Sequence, residues 1–168
     1  MILWVGFYII LIACNPPVKG KNGQVYRNAA EYNNYIIERQ SIIMKDIAAF
    51  VRISNTSLDS ADLELDKSIP ELARMNTEIR DMPLYKGDSS LRNSAVRLFH
   101  FYYRLFTEDY KQLIQFWRTN GRQTRLGINE TNRVIDKITL EEEKYDKNFH
   151  NTQKDFAEKN HMKIKESE

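Results

Sequence analysis

The sequence predicts an all-α protein, an antiparallel up-down-up-down four-helix bundle. Two observations carry that prediction. Apolar residues recur at three- and four-residue steps through four segments of about 25 to 35 residues, the period of an amphipathic helix. The 6 Gly and 4 Pro lie almost wholly between those segments, where their backbone preferences mark connections. Short connections make successive helices antiparallel neighbours. No alternating, strand-like pattern competes.

The opening stretch is of a different kind. Met1 to Ile10 is apolar and carries no charged side chain, and it is closed by Leu11-Ile12-Ala13-Cys14. Spanning a bilayer takes about 20 apolar residues, whereas this run stops at Asn15-Pro16-Pro17. A buried first strand or helix is an alternative, but the following NPPVKGKNGQVY has the Pro, Gly, Asn and Lys of a solvated linker. A secretory signal fits best, because its apolar region of about 7–15 residues would end here at a small residue, Ala13.

Leu11-Ile12-Ala13-Cys14 resembles the lipobox of bacterial lipoproteins. The resemblance implies cleavage before Cys14 and a diacylglycerol on its thiol, with Leu11, Ile12 and Ala13 presenting the site to the peptidase. One departure is the lack of Lys or Arg ahead of the apolar run. Cys14 is the only cysteine, so an intramolecular disulfide is impossible. Asn15 is compatible with sorting onward to an outer membrane or cell surface rather than retention at an inner membrane. The expected division is a cleaved signal peptide over 1–13, a flexible tether over 14–27, a bundle over 28–162 and a charged tail over 163–168. Removing the thirteen residues before Cys14 from the 168 leaves 155, a chain long enough to bury roughly 70% of its unfolded surface.

The first helix is expected from about Asn28 to Ile53, with Ala29, Tyr32, Ile36, Ile43, Ile47 and Phe50 on one face. It ends at Ser54-Asn55-Thr56-Ser57, a run of capping residues. The second is expected from about Leu58 or Ser60 to Met82, on Leu65, Ile69, Leu72, Ile79 and Met82. Asp59 and Asp62 in its first turn suit the helix dipole. Pro70 predicts a kink or a short break near Ser68-Ile69, so one helix or two both fit. The loop from Met82 to Asp88 follows, with Asp88 as the N-cap of the third helix.

That third helix, Ser89 to Thr119, carries the stripe Ala95, Phe99, Tyr102, Phe106, Tyr110, Leu113 and Trp117, widened by Leu91, Leu98, Leu105 and Phe116. Phe101, Tyr103 and Ile114 extend the apolar arc past half the circumference, which predicts the most buried helix of the set. A loop from Asn120 to Gly127 leads to the fourth helix, about Asn129 to Asn160. Its heptad-like positions are Ile135, Ile138, Tyr145, Phe149 and Phe156. Glu142 and Thr152 interrupt that stripe, so packing is expected to loosen toward its C-terminus.

Composition excludes more than it assigns. The 25 basic and 23 acidic residues give a formal charge of +2, with no basic block and interleaved aromatics of a nucleic-acid module. No Gly-rich phosphate loop, Gly-x-Ser-x-Gly or haem-attachment motif is present, so neither an enzyme nor a bound cofactor is expected. Glu158 and His161 match Glu-x-x-His, but a di-iron bundle site needs two such motifs and two further glutamates; no metal is assigned. His100, between Arg97 and Arg104 on the polar face of the third helix, reads as a solvated histidine.

Beyond the lipobox, three stretches, AAEYNNYIIERQSIIMKDI, MPLYKGDSSLRNSAVRLFHFYYRLFTEDYKQLI and EEEKYDKNFHNTQKDFAEKN, resemble a family of uncharacterised bacterial helical surface lipoproteins over about residues 29–160. Pro70 departs from that match. The resemblance implies location and fold, and no activity or catalytic residues. The function expected is a lipid-anchored cell-envelope protein with a non-enzymatic binding or structural role, meeting a protein partner through an exposed apolar patch at Phe101, Tyr103 and Trp117. The alternative is a small-ligand or metal-binding bundle with a pocket among Phe99, Tyr102, Phe106 and Tyr110.

Overall fold

The computed structural model describes residues 16–162. It is a helical bundle with one small hairpin. Strands β1 (Val18–Lys19) and β2 (Val25–Tyr26) pair antiparallel, Val18 opposite Tyr26 and Lys19 opposite Val25. The helices are α1 (Ala29–Ser54), α2 (Leu58–Arg80), α3 (Ser90–Arg104), α4 (Lys111–Asn120) and α5 (Arg125–Lys159). A π-helical turn, Leu105–Tyr110, joins α3 to α4 without a break, so the two form one rod.

Within the span expected as a flexible tether over 14–27, residues 18–26 form this hairpin. Asn22-Gly23 is a strong short-range turn signal, and Gly23 takes φ +78, a conformation that suits glycine. Asn22 donates to the Tyr26 hydroxyl at 2.8 Å and to the Glu78 carbonyl at 3.3 Å, while the Lys21 N–H donates to the Asp81 carbonyl at 3.1 Å. The hairpin is thereby tied to the end of α2. Tyr26 is buried, its ring 5.1 Å from Tyr32 and 5.4 Å from Tyr35.

Helix ends follow the capping chemistry of the sequence. Asn28 Oδ1 accepts from the Glu31 N–H and Glu31 Oε2 accepts from the Arg27 N–H, both at 2.9 Å. Ser57 Oγ accepts from the Ser60 N–H at the start of α2. Asp88 Oδ1 accepts from the Ser90 N–H at 2.8 Å, one position ahead of the formal cap Ser89. The bonds accepted by Asn28, Ser57 and Asp88 each satisfy a donor that a helix start leaves unpaired. Gly127, in the first turn of α5, lies so close to the preceding loop that a Cβ would fall 2.1 Å from the Gly121 carbonyl oxygen.

Pro70 does not divide the second helix, which runs unbroken from Leu58 to Arg80. Proline removes one intrahelical bond, but here it lies on the exposed side, while Leu65, Ser68, Leu72 and Met75 are buried on both sides of it. Burial of that face outweighs the lost bond.

The core joins Ile36, Ile43 and Phe50 of α1 to Leu65, Leu72, Met75 and Ile79 of α2, the aromatic stripe of the rod, and Phe149 and Phe156 of α5. Phe50 and Tyr110 stack with centroids 4.1 Å apart. A smaller cluster, Leu113, Trp117 and Val134, lies between α4 and α5. The fourth helix starts at Arg125, inside the span expected as a loop, because Thr124 caps it by accepting from the Gly127 N–H. Two further expectations for it fail. Ile135 is half exposed and its neighbour Val134 is buried instead; and the looser half is the N-terminal one, where Leu126 (62%), Ile128 (47%) and Leu140 (70%) face solvent, while Phe149, Gln153, Phe156 and Ala157 are buried.

Polar pairs run along the helix contacts in a consistent order. Early α1 meets late α2 through Arg39 and Glu78 at 2.8 Å. Early α2 meets α4 through Lys111 and Asp62 at 2.5 Å and through Arg118 and Asp59 at 2.8 Å. Along α5, Asn148 faces Ser94, Glu141 faces Arg104, Lys137 faces Asp109, and Thr131 faces the Trp117 indole N–H.

Candidate functional site

The expected lipid-attachment residue Cys14 and its neighbours Leu11, Ile12 and Ala13 lie outside the described residues, as does the tail over 163–168. The first described residue, Pro16, leads within two residues into β1. The domain therefore begins close behind Cys14, at the end of the bundle that carries the start of α1 and the end of α2.

That end is built from aromatics. Tyr32 packs against Tyr26, Tyr85 (5.2 Å) and Phe156 (5.7 Å), and its hydroxyl donates to the Pro83 carbonyl at 2.8 Å. Burial pushes the Tyr32 phenol well above its usual range, so it stays a neutral donor. The Arg39 guanidinium lies 3.3 Å from the centre of the Tyr35 ring and donates to Glu78. Burial raises the Tyr35 phenol to about 12 against the opposing charge of Arg39. For Glu78, burial alone would raise the carboxyl, but the bonds and charges of Arg39 and Arg74 overcome it and hold it low.

The apolar patch expected at Phe101, Tyr103 and Trp117 does not exist. Phe101 and Trp117 are buried, Phe101 stacked on Tyr145 at 5.4 Å, and Tyr103 is partly buried against the core. A helix apolar through more than half its circumference can be covered on both flanks, here by α2 and α5. The pocket expected among Phe99, Tyr102, Phe106 and Tyr110 is filled by core packing, and Tyr102 also lines a groove at the surface.

That cavity is a groove of about 500 Å³ between α1 and α5, lined by Gln40 and Met44 on one side, Glu142, Glu143 and Asp146 on the other, and Tyr102 at its floor. Burial, and then the charge of Asp146, hold the Glu142 carboxyl above the usual range. The Tyr102 phenol is pushed up to about 12 by burial. The sequence signal for this groove was the interruption of the fourth helix's stripe at Glu142. A carboxylate at a core-facing position marks where two helices stand apart.

The remaining candidates stay separate. Glu158 and His161 are both exposed, and α5 ends at Lys159, so His161, with φ 54, has left the helix face that Glu-x-x-His requires. Among the described residues no group of three or more His, Cys, Asp or Glu converges to hold a metal ion. His100 is exposed on the rod. Among the described residues, no helix is long and apolar enough to cross a membrane.

The fold thus defines the chain as an all-α helical bundle with a hairpin docked at one end. No protein-family model, curated protein or solved structure matches it.

Proposed function

We propose that the protein is a lipid-anchored helical domain of the cell envelope, held through Cys14 and serving a non-enzymatic binding or structural role. The observation that carries this reading is the apolar run ending in Leu11-Ile12-Ala13-Cys14, only a few residues ahead of a folded domain. An acyl chain contributes about 0.8 kcal/mol per buried CH₂, and two or more chains make anchorage effectively stable. Membership of the helical surface-lipoprotein family, placement at an outer membrane or cell surface, and a protein partner there belong to the same proposal.

We further infer the up-down-up-down topology. Support comes from the polar pairs: early α1 with late α2, early α2 with α4, early α3 with late α5, and late α5 with early α1 through Gln153 and Asn33. Each successive helix runs against the one before it, as short loops favour.

The test is membrane fractionation with intact-mass measurement, comparing the wild type with Cys14→Ser. Wild type with the membranes and carrying acyl mass on Cys14, with the variant soluble or unprocessed, supports the proposal. Equal behaviour of the two, with residues 1–13 retained, ends it.

A second reading rests on the groove between α1 and α5. Three carboxylates around an apolar floor suit a small organic cation such as a polyamine. Such a ligand would raise the melting temperature by several degrees at saturating concentration. A melt unmoved by polyamines would discard that reading without touching the first.

A further inference from the structure

A second cavity, of about 460 Å³, opens at the end of the bundle where the chain enters. Four cations line it: Lys19 of β1, Lys21 of the hairpin turn, Arg80 at the last position of α2, and Arg92 in the first turn of α3. Its one carboxylate, Asp81, is 3.9 Å from Arg80. The cradle is held by backbone contacts. Arg92 donates to the Met82 carbonyl at 3.1 Å, and the Lys21 N–H to the Asp81 carbonyl at 3.1 Å. Three other acids at this end are engaged: Glu31 by Arg27, Glu78 by Arg39, and Asp88 by Lys159. Beside Pro83, which also lines the cavity, Leu84 stands exposed.

We infer that this face docks on an anionic phospholipid surface, with lipid phosphates in the cationic cavity and Leu84 reaching toward the acyl boundary. The inference rests on the anchoring proposal for its geometry. Cys14 lies four residues before Val18, a span of at most about 14 Å, so an acylated Cys14 holds this end against the bilayer. The far end is removed by the length of α1, about 39 Å at 1.5 Å per residue. That is several Debye lengths at about 0.1 M salt, so the charges at the near end are the ones that meet the headgroups.

The test uses the full chain as isolated from membranes with Leu84→Cys; where intact mass shows acyl on Cys14 the new thiol is the single free one, and where it does not, Cys14→Ser is added so that it still is. An environment-sensitive dye on that thiol is followed on vesicles of phosphatidylcholine alone and of phosphatidylcholine with phosphatidylglycerol. A blue-shifted emission on the anionic vesicles only, reversed by high salt, is expected. Adding Lys21→Gln and Arg80→Gln should lower the docked-to-undocked ratio by about 30-fold. Both side chains are exposed, and a circular-dichroism melt checks that the fold persists.

Flotation with both vesicle types and no change in the dye overturns docking while leaving the anchor intact. Flotation and dye response with anionic vesicles alone supports docking and removes the anchor. Flotation with neither removes both. If inorganic phosphate raises the melting temperature of the wild type but not of the double variant, and the dye ignores lipid, the cavity serves a soluble phosphate compound and the docking inference fails.

Discussion

Gln153 Nε2 donates to Asn33 Oδ1 at 2.8 Å, both residues buried and 120 positions apart in the chain. The bond joins the start of α1 to the end of α5, beside the Tyr32–Phe156 ring contact. Further along, the same two helices stand apart around the groove at Met44 and Glu142. A buried amide pair can act as a register lock, because any slip leaves polar atoms unpaired in an apolar setting.

Removing one member should therefore cost more than removing both. Asn33→Leu or Gln153→Leu alone is expected to destabilise by about 1–3 kcal/mol, since the survivor stays buried without a partner. The double variant should recover part of that loss. Urea unfolding of the four chains in a double-mutant cycle gives the coupling directly.

Asp109 is buried in the π-helical turn, with Lys137 at 2.6 Å as its counter-charge. Lys137→Met leaves the carboxylate unpaired. A fully buried pair broken this way costs about 3–5 kcal/mol; because Lys137 is 41% exposed, about 2 kcal/mol is expected, read from the same unfolding curves.

Glu142 bears on the pH dependence. Burial first, then Asp146, raise its carboxyl in the folded chain. A carboxyl raised on folding binds its proton more tightly in the native state, so its ionisation subtracts stability as pH rises from the unfolded value through the folded one. Glu142→Gln should then raise the melting temperature at pH 7 and leave it nearly unchanged below about pH 4, where both states are protonated. A gain that persists at low pH would point to packing instead of charge.

Asp88 should behave in the opposite sense. Its hydrogen bonds from Ser90 and from Lys159 lower the carboxyl from 3.8 to about 2. The stability it contributes is present above pH 3.8 and is lost as pH falls toward 2. Asp88→Asn is expected to cost about 1 kcal/mol at pH 7 once solvent screening is counted, and almost nothing near pH 2. Melts at the two pH values make the comparison.

Much of the local structure was legible because its causes are local. Asn28, Ser57 and Asp88 announce helix starts through side-chain bonds to nearby N–H groups. The Asn22-Gly23 turn was equally visible, yet strands of two residues give no alternation to notice, and the burial of Tyr26 depends on α1 and α2 being in place. The cationic cavity could not be read at all, since Lys19, Arg80 and Arg92 come from three elements brought together only by folding.

What the sequence alone determined is the all-α class, the starts of the first three helices, and the apolar start with Cys14 behind it, all of them set by period, capping and composition. The tertiary structure decided which apolar residues point inward. Val134 is buried and Ile135 exposed because Val134 packs against Leu113 and Trp117 of α4, while Ile135 faces solvent. That choice is made by the position of the partner helix, so no period within α5 records it.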